Sequence, residues 1–195
     1  MTTLLHVPLP PYEAESQALL ERFPTARGET LALFRMLTLS PRIMRRVLAG
    51  GLLDRDSPLT LRQRELVIWR VCARCGCAYE WGVHVSGFGR AAGLQAGLAE
   101  ASLRPLPPTD DGSLNAEIRL LWAVVDALHE TGNLDDDLRH RLADAFPPAA
   151  QLEILALAGF YHSISYFANV ARLAPEPFAG GFPDGRGGRF AGASR

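Results

Sequence analysis

The stretch that decides the fold is ELVIWRVCARCGCAYEWGVH, residues 65–84. It holds all three cysteines, two glutamates and one of the five histidines of the 195-residue chain. Apolar residues recur through it at helical spacing after Thr60, a suitable N-cap, and Gly76 offers a bend. A second helix from about Cys77 to Ala92 follows. The stretch therefore predicts two consecutive helices with reactive side chains near their junction, suited to redox or acid-base chemistry.

Helical periodicity also dominates the rest of the chain, and alternating patterns of the strand type are nearly absent. The sequence predicts an all-α bundle of seven or eight helices. Besides the two above, helices are expected over residues 12–23, 29–39, 41–48, 113–130, 135–145 and 149–173, with Ser113 as the cap of the fourth of these.

Three parts are expected along the chain. Residues 1–28 form an extended, proline-punctuated arm and a short helix, and arms of this kind often pack on a neighbouring subunit. Residues 29–174 form the helical domain. Residues 175–195 are rich in glycine, proline and arginine and poor in aliphatic side chains, which predicts a flexible tail.

Composition bounds the function. A net charge of −1 without a basic block makes nucleic acid an unexpected partner. All 20 basic residues are arginines, which excludes lysine nucleophiles and Schiff bases. The start of the chain lacks the charged and unbroken apolar pattern of a signal peptide, and charges or prolines interrupt every apolar run. We therefore expect a cytoplasmic protein that does not insert into membranes.

The cysteines offer several pairings. Cys72 and Cys75 form a Cys-x-x-Cys pair, which is typical of a redox dithiol or half of a zinc site. The zinc interpretation is poor, because there is no second pair and His84 alone cannot complete four ligands. Cys77 has the better setting, since a cysteine at the first turn of a helix faces free N–H groups that favour thiolate.

Glu80 lies three residues after Cys77, and His84 lies four residues after Glu80, so these three side chains share one helical stripe. Glu65 can return to that stripe only through the bend near Gly76. The sequence thus predicts a site built from Cys77, Glu80, His84 and Glu65.

The spacing of these four residues resembles the active-site pattern of the alkylhydroperoxidase D and carboxymuconolactone decarboxylase superfamily. The resemblance implies an all-α bundle that assembles into trimers, dimers or hexamers. It places Cys77 at the first cysteine of the peroxidase motif, Glu65 and His84 at its proton relay, and Tyr79 where a second relay histidine can occur. Glu80 departs from the pattern, because it occupies the place of the cysteine that attacks peroxide.

Three functions follow as alternatives. In a thiol peroxidase, Cys77 attacks an organic hydroperoxide, Glu80 and His84 move protons, and Cys75 or an external thiol resolves the product. In a decarboxylase-like enzyme, His84 with Glu80 or Glu65 performs acid-base chemistry on a small lactone or β-keto acid. In a non-catalytic oligomeric binding protein, side chains fill the pocket. None of these calls for a cofactor, and no metal site is predicted.

Other residues are secondary candidates. Cys72 is demoted by the spacing. Tyr161 and His162 lie on the last apolar helix and could line the pocket from the other half, although a satisfied core histidine explains His162 as well. Arg70 and Arg74 could bind a substrate carboxylate, or simply occupy a surface face of their helix.

Overall fold

The computed structural model describes residues 5–50, 56–107 and 112–183 of the chain. Within these residues it contains nine helices and one short hairpin. In chain order they are α1 (Ala14–Leu20), β1 (Thr25–Ala26), β2 (Glu29–Thr30), α2 (Ala32–Leu37), α3 (Pro41–Ala49), α4 (Leu61–Arg74), α5 (Ala78–Phe88), α6 (Ala96–Ser102), α7 (Ala116–Thr131), α8 (Asp136–Ala145) and α9 (Pro148–Ala171). The prediction of an all-α fold is confirmed.

Helix α4 lies at the centre of the bundle, where it packs against α5, α7 and α9. Its first turn is fixed by a capping box, in which the Thr60 hydroxyl accepts from the Gln63 N–H and the Gln63 side chain accepts from the Thr60 N–H. From Glu65 to Ala73 every residue of α4 is buried. A helix buried on all sides places even its polar side chains inside the protein, so Glu65 and Arg70 must find partners there.

Two elements were not predicted. The hairpin of β1 and β2 turns at Arg27 and Gly28, which have φ values of 54° and 84° and form a two-residue turn within the segment expected to be arm. Helix α6 has seven residues and no side-chain cap, so it carries little sequence signal. Helix α7 begins after Asn115, rather than after the predicted cap Ser113.

Residues 175–183, which we call the C-terminal segment, pack against the bundle, contrary to the predicted flexible tail. Ala179 and Phe182 are buried, and the Phe182 ring meets Trp81 edge-on with ring centroids 5.4 Å apart. Helix α5 permits this approach because residue 82 is glycine; a Cβ there would lie 1.9 Å from the Gly180 carbonyl oxygen. The remainder of the predicted tail, residues 184–195, lies outside the described residues.

Helix α9 is long and apolar enough to cross a membrane by length and composition alone, so the expectation that every apolar run is interrupted is wrong for this helix. Its buried residues recur at helical spacing, and that side packs against α4 and α5. A core helix of a bundle meets the same test, so α9 carries no argument for membrane insertion.

Candidate active site

The turn between α4 and α5 sets the geometry of the site. Gly76 has a φ of 61°, which allows the Cys77 N–H to donate to the Cys72 carbonyl at 2.8 Å and the Gly76 N–H to donate to the Ala73 carbonyl at 3.1 Å. This Schellman pattern ends α4 and starts α5 one residue after Cys77. The bend predicted near Gly76 brings α5 back along α4.

Glu65 and His84 meet across these two helices. The His84 Nδ1 lies 3.0 Å from one carboxylate oxygen of Glu65 and 3.2 Å from the other. Trp69, one turn after Glu65, donates its indole N–H to the same carboxylate at 3.2 Å. Because a carboxylate accepts, Nδ1 carries the proton and Nε2 is the atom that His84 presents to the interior.

Two further groups surround that Nε2 atom. The Tyr161 hydroxyl of α9 lies 2.9 Å from it, and a carboxylate oxygen of Glu80 lies 3.8 Å from it. Glu80, His84 and Tyr161 are all buried. The structure therefore gathers Glu65, Glu80 and His84 as predicted, and it adds Tyr161 as a fourth member.

Burial raises the pKa of Glu80 from 4.5 to about 7, although the neighbouring imidazole of His84 opposes the shift. Burial by itself lowers the pKa of His84, but the carboxylates of Glu65 and Glu80 outweigh it and raise that pKa above its ordinary value. Burial and the two carboxylates raise the pKa of the Tyr161 hydroxyl. Glu80 is thus poised to gain or lose a proton near neutral pH.

A cavity of about 510 Å³ opens onto this group. Glu80, His84 and Tyr161 converge on one part of its wall, Thr25 adds a hydroxyl elsewhere, and the rest is largely apolar. The apolar side chains that the structure describes around it are Phe23, Pro24, Ala26, Leu31, Leu33, Phe34, Val47, Leu48, Val83, Phe88, Phe160, Ile164 and Phe178. No arginine occurs among the described residues of the lining. A mostly apolar cavity with a few convergent polar groups is the usual form of a small-molecule site.

The three thiols lie outside the described lining of the cavity. Cys72 and Cys77 are fully buried, and Cys75 is half-buried. Burial and the nearby Glu80 raise the pKa of Cys77 to about 12, against the expectation that its helix start favours thiolate. Burial also raises the pKa of Cys72 and brings that of Cys75 to about 11. Cys72, which its spacing made only a secondary candidate for the site, lies beside Cys77 and Glu80.

Tyr79 does not take part in a relay with His84. Its hydroxyl accepts from the Leu33 N–H at 3.1 Å and donates to the carboxylate of Glu176. That carboxylate also accepts from the Ala32 N–H at 2.6 Å. Tyr79 and Glu176 therefore join α5, the start of α2 and the C-terminal segment, and we call this set of bonds the Tyr79–Glu176 contact.

His162, Arg70 and Arg74 all lie outside the described lining of the cavity. His162 does not line the cavity among the described residues; its Nε2 lies 2.9 Å from the Nδ1 of His129. Arg70 is fully buried and pairs with Asp126 in two hydrogen bonds, of 2.7 Å from Nε and 2.5 Å from Nη2. Arg74 pairs with Glu130 at 2.5 Å. Neither arginine is positioned to bind a substrate in the cavity.

Comparison with known proteins agrees with this fold. The model of the carboxymuconolactone decarboxylase family matches residues 41–108. A search of curated proteins found no match. Among solved structures, an uncharacterized peroxidase-related protein from Silicibacter sp. TM1040 is similar, with a TM-score of 0.74 and 18% identity over 90% of this chain and 92% of that one.

The matched segment contains α3, α4, α5 and α6, and hence Glu65, Cys77, Glu80 and His84. The structural likeness extends over most of the bundle. By its family match over residues 41–108 and by its fold, the chain is similar to AhpD-like proteins of the carboxymuconolactone decarboxylase superfamily.

Proposed function

We propose that this protein is an acid-base enzyme that moves a proton on a small, largely apolar carbonyl compound. The observation that carries the proposal is the polar wall of the cavity, where Glu80, His84 and Tyr161 converge and the thiols do not. A carboxyl group with a pKa of about 7 is matched to proton transfer at neutral pH.

Each group has a separate role in the proposed reaction. Glu80, in its carboxylate form, takes a proton from the carbon next to the substrate carbonyl. The Tyr161 hydroxyl donates a hydrogen bond to the oxygen that gains charge, and the protonated Nε2 of His84, 2.9 Å away, donates one to the Tyr161 oxygen. Glu65 holds the His84 ring and stabilises its charged form.

The charges around the cavity narrow the substrate class. The His84 and Glu65 charges offset each other, Glu80 is acidic, and the described lining contributes no arginine. A substrate carboxylate therefore lacks a cation to pair with, and desolvating it is costly. An uncharged ketone or lactone fits this wall better than the charged lactone acid of the decarboxylase-like alternative.

The test follows exchange of the α-proton of small ketones and lactones for deuterium in D₂O, by proton NMR, with β-keto acids as a charged comparison. We expect catalysed exchange whose rate rises with pH through about 7, as the carboxylate form of Glu80 appears. Glu80→Gln and Tyr161→Phe should each lower the rate by about 10²-fold or more.

Cys77→Ser is the matched control, because Cys77 contacts the same glutamate but lies outside the described cavity lining. It should keep the exchange activity. Exchange that survives Glu80→Gln, or that disappears with Cys77→Ser in a folded protein, would contradict the proposal.

A thiol peroxidase is the second candidate, favoured by the position of Cys77 beside Glu80 and Ser165. The apolar cavity would hold the organic part of a hydroperoxide. Cys77 thiolate would attack the outer peroxide oxygen, forming a sulfenic acid and releasing the alcohol, and Cys75, Cys72 or an external thiol would then reduce it. This step needs Cys77 to lose its proton and gain access to the cavity.

Cumene hydroperoxide distinguishes the two candidates. The peroxidase requires its consumption, a gain of one oxygen on Cys77 by mass spectrometry, and loss of both in Cys77→Ser. The proton-transfer proposal expects an unmodified Cys77 and unchanged peroxide. The third alternative, a binding protein with a filled pocket, receives no support from a cavity of about 510 Å³.

The cytoplasmic location stays a prediction. Fractionation of cells that express the full chain would test it, and recovery of the protein in the membrane pellet after a salt wash would contradict it.

A further inference from the structure

A second group of reactive side chains lies apart from the described lining of the cavity, where the end of α4 meets α7 and α9. Cys75, His129 and His162 place one Sγ and two ring nitrogens within 4.8 Å of one another. All three side chains are half-buried, so they are held in place yet open to solvent. They come from three helices and are distant in sequence.

The hydrogen bonds of His162 fix which of its nitrogens is available. Its Nδ1 lies 3.0 Å from the Ala158 carbonyl oxygen, which can only accept, so Nδ1 carries the proton. The Nε2 atom therefore carries a lone pair, which accepts a hydrogen bond from the Nδ1 of His129 at 2.9 Å. A metal ion would replace that hydrogen bond, with the His129 proton moved to its Nε2 atom. A backbone carbonyl that holds the far ring nitrogen is the usual support of a metal-binding histidine.

Cys75 is held beside this pair by its backbone. It is the C-cap of α4, and the Asn169 side chain of α9 donates to its carbonyl oxygen at 2.9 Å. Its thiol is free of any disulfide. Ligand atoms bound to one tetrahedral zinc ion are separated by roughly 3.3–3.8 Å, given bonds of about 2.0–2.3 Å. To bind an ion, rotations of the three side chains would have to adjust separations that now run up to 4.8 Å.

The charges around the group do not prevent a cation from binding. Arg74 lies near His129, but it pairs with Glu130 at 2.5 Å and with Asp126 at 3.5 Å. Both carboxylates lie on the same side of the group as Arg74 and offset its charge.

We propose that Cys75, His129 and His162 form a binding site for one thiophilic divalent transition-metal ion of the zinc class. One thiolate and two imidazoles are the ligands that such ions prefer, whereas Mg²⁺ and Ca²⁺ prefer oxygen. Binding releases the thiol proton of Cys75 to solvent as the sulfur–metal bond forms. Three protein ligands leave the fourth position to a water molecule.

The experiment titrates the reduced, metal-free full chain with Co²⁺ and then with Zn²⁺. Co²⁺ reports a bound thiolate through a sulfur-to-cobalt charge-transfer band, and Zn²⁺ affinity is measured against a chromophoric chelator. We expect one ion per chain, the band with Co²⁺, and its loss when Zn²⁺ displaces Co²⁺. Cys75→Ser should abolish the band, and His129→Gln and His162→Gln should each weaken Zn²⁺ binding by about 100-fold.

Two controls separate this site from the other thiols and from exposed histidines. Cys72→Ser removes a buried thiol outside the group, and His140→Gln removes an exposed histidine on α8. Both should bind the ion as the unchanged chain does. Circular dichroism establishes that each variant is folded.

Three results would overturn the proposal: no saturable binding by the unchanged chain, a charge-transfer band that survives Cys75→Ser, or a band lost with Cys72→Ser. None of these readouts depends on catalytic activity. A result that contradicts the metal site therefore does not contradict the proposed acid-base function, and a result that contradicts the acid-base function does not contradict the metal site.

Discussion

Glu80 is the residue whose ionisation links the chemistry of the cavity to the stability of the fold. Burial raises its pKa from 4.5 to about 7, so the folded state holds this proton more tightly than the unfolded chain does. Its contribution to stability therefore falls as pH rises from 4.5 to 7 and stays low above that range.

We predict that Glu80→Gln makes the protein more stable at pH 8, by roughly 1–3 kcal/mol, because the glutamine avoids a buried charge. At pH 5 the difference should nearly vanish. Denaturant unfolding at both pH values measures it. Glu100→Gln, at an exposed position on α6, should show no such pH dependence. A Glu80→Gln variant that is less stable than the unchanged chain at pH 8 would contradict the pKa shift.

Most of the polar residues of the site could be predicted from the sequence, because the helical repeat and one bend determine which of them lie close together. Glu80 and His84 share a face of α5, and Gly76 returns α5 to Glu65. The orientation of Tyr161 and His162 is harder to predict. Neighbouring side chains on a helix point about 100° apart, and no local feature of the sequence indicates which of the two faces the cavity. Nor can spacing pair His162 with His129, 33 residues away on another helix.

Among the elements, α5 depends on its contact with the C-terminal segment. We predict that Gly82→Ala displaces this segment, because a Cβ at position 82 would lie 1.9 Å from the Gly180 carbonyl oxygen, a backbone atom that cannot rotate away. Limited proteolysis should then cut within residues 175–183, and the free energy of unfolding should fall by about 1–3 kcal/mol.

Gly87→Ala is the matched control, since it makes the same change in the same helix and its Cβ would meet no atom within 4 Å. It should leave the proteolysis pattern unchanged and stabilise the helix slightly. Equal proteolysis of the two variants would show that the segment does not depend on the close approach at Gly82.

The long helices were predictable because each has a repeating apolar face and clear ends, as α4 has in its capping box and its turn at Gly76. The hairpin and the C-terminal segment were not. Two-residue strands have no periodicity, and the segment is held by single contacts, such as Glu176 with Tyr79 and Phe182 with Trp81, that composition does not reveal.

At the scale of the whole molecule, the ion pair between the fully buried Arg70 and the partly exposed Asp126 holds several elements together. Arg70 donates to Asp126 on α7 and to the carbonyls of Ser102 and Arg104 at the end of α6. We predict that Asp126→Asn lowers the free energy of unfolding by about 3 kcal/mol, because it leaves the buried guanidinium of Arg70 without an opposite charge beside it. Asp136→Asn, at an exposed pair with Arg139, should cost less than about 1 kcal/mol.

Urea denaturation measures both changes. An Asp126→Asn variant as stable as Asp136→Asn would show that the Arg70 charge is compensated by its two carbonyl partners alone.

Assembly is the second prediction at this scale. The resemblance implies a homo-oligomer, and α9 exposes Leu152, Tyr166 and Val170, with 69%, 60% and 54% of their surface accessible. We expect sedimentation of a species larger than the 21.2 kDa chain, and a shift toward the monomer in Leu152→Glu if α9 forms the contact. A monomer at micromolar concentration would contradict the expectation.

The Tyr79–Glu176 contact has a consequence for how the protein is made. Helices α4, α5 and α9 are all translated before Glu176 and Phe178, yet Phe178 forms part of the cavity wall and Glu176 fixes the start of α2 to α5. A nascent chain can thus assemble its bundle on the ribosome while the cavity still lacks one side. The cavity wall is complete only after Phe178 has left the ribosome, so a chain that ended after α9 would lack this part of it.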